Sequence, residues 1–273
     1  MLAFVLFLGI CGVFFSSDLW LGFLNKQSVV TAVADSQYSA RAYEQLQEDL
    51  EALMKAHDLP GDTALTLIDE NEFYTASGNL IKKTLKENTE DGETPVDEIL
   101  LEGARQFQWA LHDEITLQLT DQGIAITPEL KLSIDEITFI AGNIYSIHTD
   151  FQFGEQFTKA REKMVPGLQL MFFVSLGILF VAGMALIVFY RRRNAALSYI
   201  NYALFGSVLA NLLVVGLLYV TNPMSETAAS LYYQNFIDYY ITHSLVPGLG
   251  LSAMGLIVSG VLWVTIRRIQ KEA

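Results

Sequence analysis

Residues 165–193 constrain the chain most. They read Val165-Pro166-Gly167, then an unbroken apolar run, then Arg191-Arg192-Arg193. A helix of ~20 apolar residues, rising ~1.5 Å each, crosses a ~30 Å hydrocarbon layer. Only a fully hydrogen-bonded helix or a closed barrel can do so. The run is therefore expected to span a membrane. The arginines behind it are expected on the cytoplasmic side, where basic residues flanking a span collect.

The rest of the chain divides around that span. Composition fits a polytopic membrane protein with one polar domain, 52% hydrophobic and only 17% charged. Residues 26–164 hold 26 of the 30 acidic residues but 11 of the 17 basic ones. The remaining basic residues are Arg191, Arg192, Arg193, Arg267, Arg268 and Lys271, all beside apolar runs. This partition predicts a plasma (inner) membrane protein with both termini cytoplasmic and an acidic domain outside. An acidic outer surface argues against nucleic acid and anionic headgroups as partners. Its single cysteine, Cys11, excludes a disulfide-stapled domain.

In chain order, residues 1–24 read as a first span and its outer flank, with Asp18 and Trp20 at the interface. Ala32-Val33-Ala34 resembles a signal-peptide cleavage site. No basic residue precedes the apolar run, which favours an uncleaved anchor and a natural start upstream of Met1. Residues 25–164 read as the extracytoplasmic helical domain. Asp35-Ser36 is expected to cap a helix with a stripe of Tyr43, Leu46, Leu50, Leu53 and His57. A second helical region, 63–86, is expected to break near Ser77-Gly78. Thr94-Pro95 and Thr127-Pro128 open two further helices, proline taking the first helical position. Their buried faces are Val96, Leu100, Ala104, Phe107, Leu111 and Ile115, then Ile134, Ile137, Ala141, Ile144 and His148. Gln122-Gly123 stops the first of them.

Residues 165–193 form the second span with its arginines, Asn194–Ser198 a short turn, and 194–220 the third span. Residues 221–244 read as an aromatic outer loop, and 245–273 as the fourth span and tail. In the loop, Tyr232, Tyr233, Phe236, Tyr239 and Tyr240 are candidate interface aromatics, lying at the membrane surface or bracing the polar domain. Val165-Pro-Gly-Leu and Val246-Pro-Gly-Leu open spans two and four alike, an echo that either a duplicated hairpin or helix-start chemistry explains. Pro166 and Gly167 are a candidate hinge, predicted to break the helix. The fold class expected is all-α: a four-span transmembrane bundle with a helical domain inserted between spans 1 and 2.

Chemistry is thinly signalled. Asn211 sits mid-span and needs an interhelical polar contact. Ala203/Ser207, Gly206/Ala210 and Gly255/Ser259 are small pairs that permit close helix approach. The segment from Glu87 to Glu98 falls poorly on a calcium-loop frame. The four histidines form no metal-spaced motif, and no nucleophile elbow or phosphate loop occurs. No catalytic residue, cofactor or metal is therefore assigned. The layout of one span, a long polar domain and three spans resembles permease subunits of cell-division and macrolide-type ABC systems. It departs from them in leaving only Asn194–Ser198 where those carry a coupling helix. Leu53–Leu80, with His57-Asp58-Leu59-Pro60 and Leu67-Ile68-Asp69-Glu70, resembles uncharacterised membrane proteins of low-GC Gram-positive bacteria. These features imply a non-enzymatic binding, sensing or assembly component. It would work through its outer domain on an envelope or membrane protein partner. The alternatives are a transporter or channel component, needing a polar cavity beside Asn211 among spans two to four, and a membrane-bound enzyme, needing His112 or His148 gathered with carboxylates.

Overall fold

A computed structural model of the chain describes residues 1–86, 95–190, 193–221 and 230–272. The described residues are helical and contain no strand. Four helices are long and apolar enough to cross a membrane: Leu2–Phe23, Gln152–Phe189, Ala195–Thr221 and Leu231–Lys271. The chain forms two compact units, Met1–Ser36 with Ala160–Ala273, and Gln37–Lys159. The expected loop frame at 87–93 and the side chains of Arg191, Arg192 and Arg193 lie outside the described residues.

The first unit is a helix bundle. Helix α1, Leu2–Ser17, continues as a π-helical turn over Asp18–Phe23, and α2 follows at Lys26–Asp35. Asn25 starts α2 by accepting a hydrogen bond from the Gln27 amide at 3.0 Å. Asp35 thus closes a helix instead of capping the next one, a correction to the sequence reading. The left-handed residue Gln37 (φ 53°) then separates α2 from α3. Ala32, in the cleavage-like triplet, is fully buried on α2.

Helix α7, Gln152–Phe189, supplies the bundle from residue 160 onward. It runs without interruption through Pro166 and Gly167, so the expected break does not occur. Breaking the helix would strand several backbone groups, whereas an internal proline removes one donor. Helix α8, Arg193–Thr221, begins earlier than expected, because Asn194–Ser198 is already helical. Helix α9, Leu231–Glu272, merges the expected aromatic loop and fourth span into one rod that also passes through its proline, Pro247. The two Val-Pro-Gly segments therefore occupy similar places, each well inside a long helix.

Contacts fix the helix directions. Gly9 and Gly12 of α1 face Leu179 and Ser175 of α7, so these helices are antiparallel. Asn201 and Asn211 of α8 reach Ser259 and Ser252 of α9, so these are antiparallel too. The start of α8 and the end of α9, with Arg267 and Arg268, thus share one end of the bundle. There Arg267 lies 3.8 Å over the Trp263 ring. The outer faces are apolar: Phe173, Phe180, Val188 and Val261 are all more than half exposed. Water would penalise such faces and acyl chains would not.

The second unit comprises α3 (Tyr38–Ala56), a 3-10 turn (Leu65–Leu67), α4 (Glu70–Thr84), α5 (Val96–Asp121) and α6 (Pro128–Thr149), with residues 152–159 of α7. It starts twelve residues later than the domain expected at 25–164, because α2 packs on α9. On α3 the buried stripe is Ala42, Tyr43, Leu46, Leu50 and Met54, while His57 is exposed. Steps of four after Leu46 follow the helical period and select Met54 over Leu53. Helix α4 does not break at Ser77-Gly78. Ser77 is buried against Ser39 at 2.9 Å, and the helix instead starts at Asp69, which accepts from the Glu72 amide. Phe107, Leu111 and Ile115 of α5 and Ile134, Ile137 and Ala141 of α6 are buried as read. Thr127 accepts from the Leu130 amide, and Gly123 (φ 75°) ends the α5 turn.

Candidate functional site

The bundle holds a cavity of about 390 Å³ between α1, α8 and α9, with Met171 of α7 on one side. Its wall is mostly apolar. The polar groups that line it are Asp18, Ser207, Asn211 and Ser244. Each is placed by a recognisable local cause.

Asp18 opens the π-turn, where the Leu24 amide bonds back to the Leu19 carbonyl at 2.7 Å. Inserting a residue into a helical turn shifts the register of the side chains behind it, and such turns recur at functional sites. Here the turn brings Gly22 and Asp18 onto α9. Gly22 has no side chain because the Ser244 carbonyl occupies that space. Gly248 has none because the Asp18 carboxyl lies there, within 2.8 Å of where a Cβ would stand. Asp18, expected at the outer interface, faces the cavity, and its Oδ1 is buried with no hydrogen-bond partner among the described residues.

Asn211 makes the interhelical contact its mid-span position demanded. Its Nδ2 donates to Ser252 Oγ at 3.1 Å and the Gly248 carbonyl at 3.4 Å. Its amide also borders the Asp18 carboxyl. Ser207 donates to the Ala203 carbonyl at 2.8 Å, with the Phe7 carbonyl of α1 at 3.1 Å. The small pairs read from the sequence thus lie at real interfaces: Ala203 and Ser207 against α1, and Gly255 against Val208 of α8. A second buried amide escaped notice, Asn201, whose Oδ1 accepts from Ser259 Oγ at 2.7 Å.

The candidate aromatics do not act together as a loop. Tyr232, Phe236 and Tyr240 are buried at successive helical turns of α9, Tyr233 is half-buried, and Tyr239 is exposed. Tyr240 donates its hydroxyl to the Phe23 carbonyl and packs edge-on against the Phe23 ring at 6.3 Å. The row thereby holds the π-turn, and with it Asp18, in place. His243 adds an ion-pair geometry to Asp35 at 2.8 Å, joining α9 to α2.

The other histidines belong to the second unit. His148 Nε2 lies 2.8 Å from Asp49 Oδ2, linking α6 to α3. The ring is 5% exposed, so a substrate cannot meet it without helix separation. His112 Nε2 stands 3.5 Å from Asp135 and its Nδ1 3.5 Å from Asp113. Among the described residues no three of His, Cys, Asp and Glu converge on a metal position. Pro166 and Gly167 line no described cavity wall, and Gly167 has open space around it. Sequence reasoning missed Asp18 as a site residue; the signal was an isolated carboxylate followed four residues later by Gly22. Comparison with protein-family models, characterised proteins and solved structures finds no match for this chain.

Proposed function

We propose that this chain is a non-enzymatic binding and sensing component of a plasma (inner) membrane. Its bundle receives a small, largely apolar ligand, and its acidic helical unit stands outside the cytoplasm to meet an envelope or membrane protein partner. The observation that carries the reading is the 390 Å³ cavity with a partnerless carboxylate oxygen at its wall. Ligand sites are concave, mostly apolar and carry a few placed polar groups, at ~300–1,000 Å³. Ionisable residues within spans mark functional sites by default. The acidic and basic residues, divided as they are along the sequence, support the placement of the helical unit.

The test is native mass spectrometry of the full chain, purified from its membrane in mild detergent. A stoichiometric small-molecule adduct is expected on the wild type and absent from Ala210→Phe, which puts a ring into the cavity from α8. A wild type that carries none, or a variant that keeps it, sinks the reading.

A transporter or channel component is the second reading, because a cavity beside Asn211 is what it requires. That cavity lies among spans one, three and four, not two to four. Ligand flux across proteoliposomes, abolished by Ala210→Phe, would favour it over sensing. A membrane-bound enzyme is the third reading: His148 stands with Asp49 and His112 with Asp113 and Asp135, but neither group lines the cavity of the bundle.

A further inference from the structure

The cavity wall is rich in acceptors and poor in donors. Asn211 already directs its amide hydrogens to Ser252 and Gly248. Ser207 spends its hydroxyl hydrogen on backbone carbonyls. What remains open to an occupant is the lone pairs of Asp18 Oδ1 and the Ser244 hydroxyl, both buried without a hydrogen-bond partner among the described residues. No lysine, arginine or histidine lines the space among the described residues. An anionic head would meet the Asp18 carboxylate, with the neutral Ser244 hydroxyl but no cation to offset the repulsion. A neutral head would leave the carboxylate uncompensated in an apolar setting, which is strongly unfavourable. A head that is both cationic and a donor satisfies it.

The body of the ligand follows from the rest of the wall. Leu8, Phe14 and Phe15 of α1 and Leu19 and Phe23 of the π-turn are apolar, and three of these five are aromatic. Aromatic faces attract cations when desolvated. Leu8, Phe15 and Val214 are also exposed on the outside of the bundle, so the cavity opens sideways, toward acyl chains. Phosphate-bearing amine lipids bring an anion to the same acceptor wall and are disfavoured.

Resting on the reading of the cavity as a ligand site, we propose that it binds a single-chain amphiphile with a protonated primary amine, Asp18 pairing with the ammonium and α1 sheathing the chain.

The experiment uses the full chain in phosphatidylcholine nanodiscs and radiolabelled dodecylammonium, with empty discs as the partition blank. Dodecanol and dodecanoate are the neutral and anionic comparators. Saturable one-site binding of dodecylammonium is expected, at least tenfold tighter than either comparator. Asp18→Asn is expected to lose at least tenfold for dodecylammonium and to gain affinity for dodecanol, since no uncompensated carboxylate then faces the neutral head. Asp18→Glu keeps the charge and is expected to keep the preference for dodecylammonium. Thermal unfolding of Asp18→Asn in the same nanodiscs is the control that the variant is folded. Equal binding of dodecanol and dodecylammonium by the wild type overturns the amine assignment. So does a folded Asp18→Asn that binds dodecylammonium as the wild type does. Either result leaves the cavity itself standing as a ligand site if the adduct seen by native mass spectrometry still depends on Ala210. Lysophosphatidylethanolamine binding as tightly as dodecylammonium also overturns the assignment, in favour of a lipid headgroup.

Discussion

At the residue scale, Gly22 is the most closely approached glycine among the described residues. A Cβ there would collide with the Ser244 carbonyl, and backbone on both sides leaves nothing flexible to yield. Gly22→Ala is expected to push the π-turn off α9 and destabilise the chain by about 1–3 kcal/mol, the usual range for overpacking. Thermal unfolding in detergent should show it, beside Gly216→Ala, where the added methyl meets nothing within 4 Å and no loss is expected. Asp150 makes a second case, in the polar unit. Burial raises its carboxyl above the ordinary value, and the negative Asp97 and Glu155 add to the rise. A raised folded-state pKa means the charged form is disfavoured on folding. Its contribution is most favourable below the unfolded carboxylate pKa and is lost as pH climbs through the folded one. Asp150→Asn should therefore exceed the wild type in stability at neutral pH, and the gap should shrink toward about pH 4, near the unperturbed Asp pKa. Hydrogen exchange of α6 amides in the full chain reads this directly. A gap that widens on acidification refutes the assignment.

At the element scale, the helices of the polar unit were legible because water lies on one side of them. Phe107, Leu111 and Ile115, or Ile134, Ile137 and Ala141, repeat at helical spacing against polar faces, and Thr127 and Pro128 announce a start. Inside the bundle that contrast vanishes, since an apolar residue fits both the core and the acyl chains. Helix ends there follow from backbone satisfaction, which is why Pro166 and Pro247 failed as boundaries. The same argument yields a measurement. Spin labels at Lys163 and Phe180, both exposed, stand on one uninterrupted helix across Pro166. Seventeen residues at ~1.5 Å each give a backbone separation of ~26 Å. A single narrow distance near that value is expected from pulsed dipolar spectroscopy. A short, broad distribution would mean that Pro166-Gly167 hinges after all.

At the scale of the whole molecule, the sequence marks the four apolar helices, but not where the units divide. The boundary lies at Ser36/Gln37, since Val29 and Ala32 bury α2 in the bundle unit, a fate its mixed composition does not announce. Nor did it reveal the site, because Asp18, Asn211 and Gly248 meet only when three helices assemble. Charge supports the proposed orientation of the bundle. The end of α9, with Arg267, Arg268 and Lys271, shares its side with the start of α8, and basic flanks resist translocation. Single cysteines at Arg105, in α5, and Gln270, near the end of α9, test it in a Cys11→Ala background. Both positions are exposed. An impermeant maleimide added to intact cells should reach position 105 at once and position 270 only after permeabilisation. The reverse order would place the acidic unit in the cytosol. Its proposed partner would then be a cytoplasmic protein, and the cavity beside Asp18 would report on a ligand from a membrane whose basic flanks had been carried across it.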